Sequence, residues 1–409
     1  MPRRTACSPR SDRRERRVLP SARGDETALT TELERSPPTP VAWLPPSLGA
    51  LHRDGVFVGL VVVLVALALA APREIPRYPS RISWPTIATL AGLLLLTRGV
   101  EASGALQRAG RALIDLVRSE RAAALGLIGA SALLSMAITN DVALFIVVPL
   151  TLGMCRIAHL PAARLVVFEA LAVNVGSALT PIGNPQNIFL WQRSGVPFAE
   201  FVSAMLPLVA VLAVALFALA AWAFPATPVR LRDERRASEF DMPLLVVSLG
   251  LYAPFLALAD RHLAGWGLAL VAVVSLALRP RLVRDVDWGL LLVFVLMFID
   301  LRGLADLPAM RGWIASLALD LPKHLYAAGI VASQIVSNVP ATIALGEYSG
   351  DWHTLAYAVN IGGFGVAIGS LANLIALRML HERGAWLAFH LWSLPFLVIA
   401  AIAGYLILF

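Results

Sequence analysis

Twelve apolar runs follow one another through this chain, at about residues 55–71, 84–98, 121–137, 142–158, 163–192, 201–224, 243–259, 263–279, 286–300, 325–346, 353–377 and 388–408. A helix needs about 20 apolar residues to cross the hydrocarbon of a bilayer, where lipid satisfies no unpaired backbone N–H or C=O. The expected fold is therefore an all-α polytopic membrane protein with about ten to twelve crossings. Hydrophobic residues make up 58% of the chain and charged residues 15%, which leaves short loops and no room for a soluble catalytic module. The first run ends in Ala-Leu-Ala-Leu-Ala-Ala-Pro, which imitates a signal-peptidase site. The charged stretch before it is far too long for a leader, so the run reads as an uncleaved spanning helix.

Charge excludes several functions. Of the formal +7, the leader through residue 53 contributes ten Arg against six acids. Residues 1–50, rich in Pro, Ser and Arg, read as a disordered basic cytoplasmic tail that can touch anionic lipid, not as a nucleic-acid binder. The single lysine, Lys323, sits in Leu-Pro-Lys-His-Leu-Tyr, so no phosphate-binding loop is encoded. His381-Glu382 opens like a metalloprotease motif but position 385 is Ala, and no Gly-x-Ser-x-Gly turn occurs. Cys7 and Cys155 make no disulfide framework. No enzyme, cofactor or nucleic-acid partner is expected.

The basic residues also orient the chain. With a cytoplasmic N-terminus and the segments around Asn140 and Asn338 entering and leaving on one side, 26 Lys and Arg fall in the cytoplasm and eight outside. The C-terminus is then periplasmic. Residues 51–228 form a first transmembrane repeat, 229–242 a cytoplasmic linker with Arg230, Arg232, Arg235 and Arg236, and 243–409 a second repeat. Between the second and third runs, Leu106, Leu113 and Val117 oppose Arg108, Arg111 and Arg118, the pattern of a helix lying along the interface.

Three matches in the same order link the halves. Trp84–Gly104 answers the stretch from Trp288, with an offset of 204; Ser-Met-Ala-Ile-Thr-Asn-Asp around Asn140 answers Gln-Ile-Val-Ser-Asn-Val-Pro around Asn338, with 198. Thr-Pro-Ile-Gly-Asn-Pro-Gln-Asn at 180–187 answers Val-Ala-Ile-Gly-Ser-Leu-Ala-Asn at 366–373, with 186. An odd number of crossings per repeat inverts the second half relative to the first, the plan by which many secondary transporters build a site at the midplane. Pro181 and Pro185 lack an N–H, while Gly183 and Gly369 tolerate unusual dihedrals, so both helices break there.

Broken helices offer specific chemistry. Freed carbonyls with Asn140, Thr180, Asn184, Asn187 and the Asp141 carboxylate are oxygen donors for a hard cation, and half-helix N-termini favour an anion. Asp141 either handles an ion or proton or caps the helix after it. Glu169, within Val-Val-Phe-Glu-Ala-Leu-Ala-Val-Asn, reads as a proton site or as a structural acid facing Asn174. Glu101 and Asp300, near segment ends, read as solvated or interfacial.

The strings ITNDVALFIVVPLTL, ALTPIGNPQNIFLW, SQIVSNVP and NIGGFGVAIGSLANLIALR resemble the hairpin tips and broken helices of the ion-transporter superfamily. That group includes arsenite-efflux permeases, sodium/proton antiporters and divalent-anion symporters; the likeness covers roughly residues 50–409 and is greatest to small bacterial inner-membrane anion permeases. The resemblance implies two inverted repeats, each with a re-entrant hairpin and a discontinuous helix, a homodimer, and elevator-like alternating access. It assigns substrate and ion binding to Thr139, Asn140 and Asp141, to Ser337 and Asn338, to Thr180, Gly183, Asn184 and Asn187, and to Gly369, Ser370 and Asn373. Na+ falls to Asn140, Asp141 and Asn338. Divalent-anion symporters carry Ser-Asn-Thr at both tips; here they read Thr-Asn-Asp and Ser-Asn-Val-Pro, which does not support a dicarboxylate. The expectation is a secondary permease for a small anion, coupled to Na+ or H+, in the bacterial inner membrane, with a cation/proton antiporter as the alternative.

Overall fold

A computed structural model describes residues 55–106, 108, 109, 119–158, 160–228, 240–380, 382 and 384–409. The basic tail, most of the expected interfacial helix and the loop with Arg230, Arg232, Arg235 and Arg236 lie outside the described residues. Among those described, every regular element is helical apart from an isolated bridge between Ser119 and Pro228.

The first half contains α1 (Gly55–Ala70), α2 (Tyr78–Arg81), α3 (Trp84–Ala102), α4 (Glu120–Ala137), α5 (Asn140–Ala158), α6 (Ala162–Ser177), α7 (Pro185–Ser194) and α8 (Phe198–Ala223). The second contains α9 (Met242–Asp260), α10 (Ala264–Leu278), α11 (Pro280–Arg284), α12 (Trp288–Ala305), α13 (Pro308–Ser316), α14 (Pro322–Val336), α15 (Asn338–Gly346), α16 (Trp352–Ile361), α17 (Leu371–Leu380) and α18 (Ala385–Leu408). Small polar residues start several of them: Ser119, Asn184, Asp241, Asp287 and Asp351 each accept a bond from a first-turn N–H.

Five helices, α4, α8, α9, α12 and α18, are long and apolar enough to cross a membrane. A sixth is gained if α1 is counted with the segment after it, bent by 118°. The ten to twelve runs expected to cross are thus not all single long helices: α3, α5 and α10 are unbroken but shorter or less apolar, and others are interrupted. The runs at 163–192, 325–346 and 353–377 each divide into two helices of 9 to 16 residues. The faces of α8, α9, α10 and α18 that point outward expose Val214, Val246, Val273 and Leu406, a surface suited to lipid.

One order of elements occurs twice: a long helix (α3, α12), a two-helix hairpin (α4–α5, α14–α15), a broken helix (α6–α7, α16–α17) and a long helix (α8, α18). The packing is reciprocal. α1 lies on α12 as α10 lies on α3; α6 meets α17 as α16 meets α7; α5 meets α17 as α15 meets α7. Helix α8 serves as a ruler between the halves. At the start of α6, Arg164 Nη1 donates to Ala223 O near the end of α8 (2.8 Å), whereas on α16 the Tyr357 hydroxyl donates to Ala204 O near its beginning (3.0 Å). Likewise Arg98, late in α3, donates to Asp285 O just before α12, and Arg81, just before α3, pairs with Asp306 just after α12.

The core is centred on α6, whose residues 165–177 are all buried. Its approach to α4 depends on Gly176, where a β-carbon would lie 2.1 Å from the Ala132 carbonyl oxygen. Gly329 does the same for α14 against α16, where the Ala358 β-carbon would be 2.6 Å away. Gly176→Leu is expected to lower the thermal unfolding midpoint of the purified protein, by the equivalent of about 1–3 kcal/mol of overpacking or more. Gly250→Leu, at a position with nothing within 4 Å, should leave it unchanged.

Candidate functional site

The two helix breaks meet in the core and hold each other. Asn174, near the end of α6, donates from Nδ2 to Asn373 Oδ1 (2.8 Å), and its own Oδ1 accepts from Ser370 Oγ (3.0 Å). Asn360, near the end of α16, donates to Asn187 Oδ1 (2.7 Å) and accepts from Asn184 Nδ2 (3.0 Å). The 186-residue offset that relates the two Ile-Gly motifs converts one pair of contacts into the other: Asn174 becomes Asn360, Asn184 becomes Ser370 and Asn187 becomes Asn373.

The same asparagines satisfy the unwound backbone. Asn187 Nδ2 reaches the carbonyls of Ser177, Ala178 and Thr180 at 3.1 to 3.3 Å, and Asn373 Nδ2 reaches that of Gly363 at 2.9 Å. Asn184 Oδ1 accepts from Asn187 N–H and so caps α7 itself. The glycines allow the close turns: a β-carbon on Gly183 would lie 2.2 Å from Ser177 O, and one on Gly369 2.7 Å from Gly362 O.

Each hairpin tip rests on the break of its own half. The Asn140 N–H donates to Gly183 O (2.8 Å) and Thr180 Oγ1 donates to Met136 O (2.7 Å). In the second half Gln334 takes the place of Met136: its amide Nε2 donates to Gly362 O (2.7 Å) and its Oε1 accepts from Val366 N–H (2.8 Å). Ser337 turns that tip with φ of 75°, a conformation unusual for a residue with a side chain. Asn140 and Asn338 are both buried, with Thr139 buried beside the first.

The groups divide by what they already bind. Thr180, Asn184, Asn187, Ser370 and Asn373 are engaged in the junction. At the tips, Asn140 Oδ1 accepts from Asp141 N–H (3.0 Å) and Asn338 Oδ1 accepts from Ser337 Oγ (3.4 Å), while among the described residues neither Nδ2 donates to a partner. Asp141 is 8% exposed, and its Oδ1 accepts no hydrogen bond. An amide N–H is a neutral donor for an anion, and a carboxylate oxygen without a partner is an acceptor for a cation or a proton.

Several expectations need correction or addition. Glu169 is fully buried, but its partner is the Thr151 hydroxyl and not Asn174; its Oε2 has none. Glu101 is partly exposed and paired with Arg98 at 2.7 Å, whereas Asp300 is 1% exposed and so not solvated. Asn360, Gln334 and the bracing role of Asn174 are absent from the sequence reading. Extending the 186-residue offset outward from the Ile-Gly motifs would have paired Asn174 with Asn360.

A family model described as citrate transporter matches residues 44–359. The inner membrane protein YbiR of Escherichia coli K12 is 45% identical over 363 residues, covering 89% of this chain and 98% of its own. An uncharacterized transporter of Methanocaldococcus jannaschii is 30% identical over 327 residues, covering 79% of this chain and 88% of its own. An uncharacterized transporter of Mycobacterium tuberculosis H37Rv is 26% identical over 387 residues.

Asn360→Ala leaves Asn187 Oδ1 and Asn184 Nδ2 without their cross-partner, a loss of about 1–2 kcal/mol per bond at the upper end for membrane helices. Its unfolding midpoint should fall, and Asn174→Ala should match it. Gly183→Val and Gly369→Val should insert normally yet lose all transport in vesicles, because backbone carbonyls occupy the space the side chain needs. Normal transport by both valine variants would reduce the breaks to kinks.

Proposed function

The chain belongs to the citrate transporter family, and on that premise we propose that it is a secondary permease moving a small anion across the bacterial inner membrane, coupled to Na+ or H+. That it is a membrane transporter follows from the family and from its apolar helices. One observation carries the finer reading: the break residues are engaged with one another, while at the tips Asp141 Oδ1 has no partner and, among the described residues, neither Asn140 Nδ2 nor Asn338 Nδ2 donates to one. Two neutral donors suit an anion that needs orientation, and the carboxylate beside one of them suits Na+ or a proton.

We read the halves as inverted repeats, each with a re-entrant hairpin. The contacts of Arg164, at the start of α6, with one end of α8 and of His353, at the start of α16, near its other end support this. Residues 136–141, 177–187, 334–338 and 360–373 include no Lys or Arg. A fully ionised tricarboxylate would thus meet no fixed positive charge there, so the family's description makes citrate the first probe and not the conclusion. The same lack of cations favours the second reading, a cation/proton antiporter in which Asp141 takes Na+ and H+ in turn.

In proteoliposomes of the full-length chain, uptake of citrate, other carboxylates and oxyanions is measured with and without an imposed Na+ or pH gradient. At least one anion should be accumulated. Asp141→Asn should still exchange that anion but lose acceleration by the gradient. Driven uptake equal to wild type would make Asp141 a helix cap alone. Na+/H+ exchange with no anion movement would establish the antiporter instead.

A further inference from the structure

A third carboxylate, away from the junction, is buried in a membrane-spanning helix. Asp300 on α12 is 1% exposed, and neither of its oxygens accepts a hydrogen bond. It is the thirteenth of the helix's 18 residues, so about 7.5 Å of rise separates it from the helix end. The next turn of the same helix reaches a cavity of about 500 Å³: Arg302, Ala305 and Asp306 line it together with Arg81 and Glu347. Tyr78 on α2, which packs against α12, has a buried hydroxyl that is also without a partner.

The charged and titratable groups on the elements around α12 do not neutralise Asp300. α1 and α15 carry none. On α2, Arg81 is taken by Glu74 (3.2 Å) and Asp306 (3.0 Å). On α3, Arg98 is taken by Glu101, and on α13, Arg311 by Asp306 (2.6 Å); on α7, whose Phe189 ring meets Phe298, Arg193 is taken by Glu347 (2.9 Å), as is Arg302 of α12 itself (3.0 Å). Along α12 itself, Leu296, Met297, Ile299, Leu301 and Leu304 surround Asp300 in sequence and offer no side-chain oxygen to complete a metal shell. A charge so placed has no partner and almost no contact with bulk solvent, and the ion that removes the problem without further ligands is a proton.

We propose that Asp300 is a proton-binding site, loaded through the cavity at the end of α12. The carboxylate takes one proton from cavity water to become the neutral acid and returns it to water on release. This stands apart from the hairpin tips and does not depend on which anion is carried or on Asp141.

The test is a pair of infrared difference spectra, acidic against alkaline buffer, of the full-length protein in liposomes. Wild type should gain a protonated-carboxyl C=O band on acidification. Asp300→Asn should lose that band, Asp300→Glu should shift it, and Asp141→Asn and Glu169→Gln should keep it. Spectra that are the same in wild type and both Asp300 variants would overturn the proposal. So would an Asp300 band present unchanged in both buffers, since a permanently neutral acid carries no proton across. Because Asp300→Glu retains the carboxyl group, the result does not hang on the folding of the Asn variant.

Discussion

A helix interrupted inside a membrane exposes amides and carbonyls that lipid cannot pair, and the rest of this structure is arranged around meeting them. Asn187 and Asn373 each turn an amide back onto the unwound carbonyls of their own half. Their oxygens are then held by Asn360 and Asn174 of the other half. Neither break is complete alone. The brace requires both halves, and it requires that they approach each other in a reciprocal way.

Several other features follow from that requirement. The close packing of α6 on α4 through Gly176, and of α14 on α16 through Gly329, brings each hairpin near enough for its tip to rest on a break. Because the break side chains are occupied by one another, the proposed function places ion contact at the tips, Asn140, Asp141 and Asn338, where Asp141 Oδ1 is buried and without a partner. A transporter needs a firm site and a means of exposing it to either side. Here the asparagine brace is the firm part, and in the function proposed above the tip residues supply the chemistry.

Much of this was legible in the sequence because apolar runs, Pro, Gly and Asn are strong local signals. The tips, the two Ile-Gly breaks and the paired order of the halves were read from such signals. Two kinds of feature were not. Asn360 lies in Tyr-Ala-Val-Asn-Ile, one polar residue in an apolar stretch, and only a partner 173 residues away in the chain gives it a role. Asp300 looked solvated or interfacial because it ends the apolar run at 286–300, yet the helix continues past it and buries it, while Arg302 two residues on is bound to Glu347 at 3.0 Å. The positions of the breaks are only partly legible for a related reason: a run of apolar residues does not reveal whether its helix is straight.

The central claim is that two halves entering from opposite faces meet at one braced junction. Its most direct test is the sidedness of two exposed positions, Thr227 beyond the end of α8 near the mouth of the first hairpin, and Gly350 beyond the second. In a chain with Cys7 replaced by Ser, Thr227→Cys and Gly350→Cys would be labelled in intact cells with a membrane-impermeant maleimide. Gly350→Cys should react from outside, and Thr227→Cys only after the membrane is opened. Labelling of both from the same side would contradict the account.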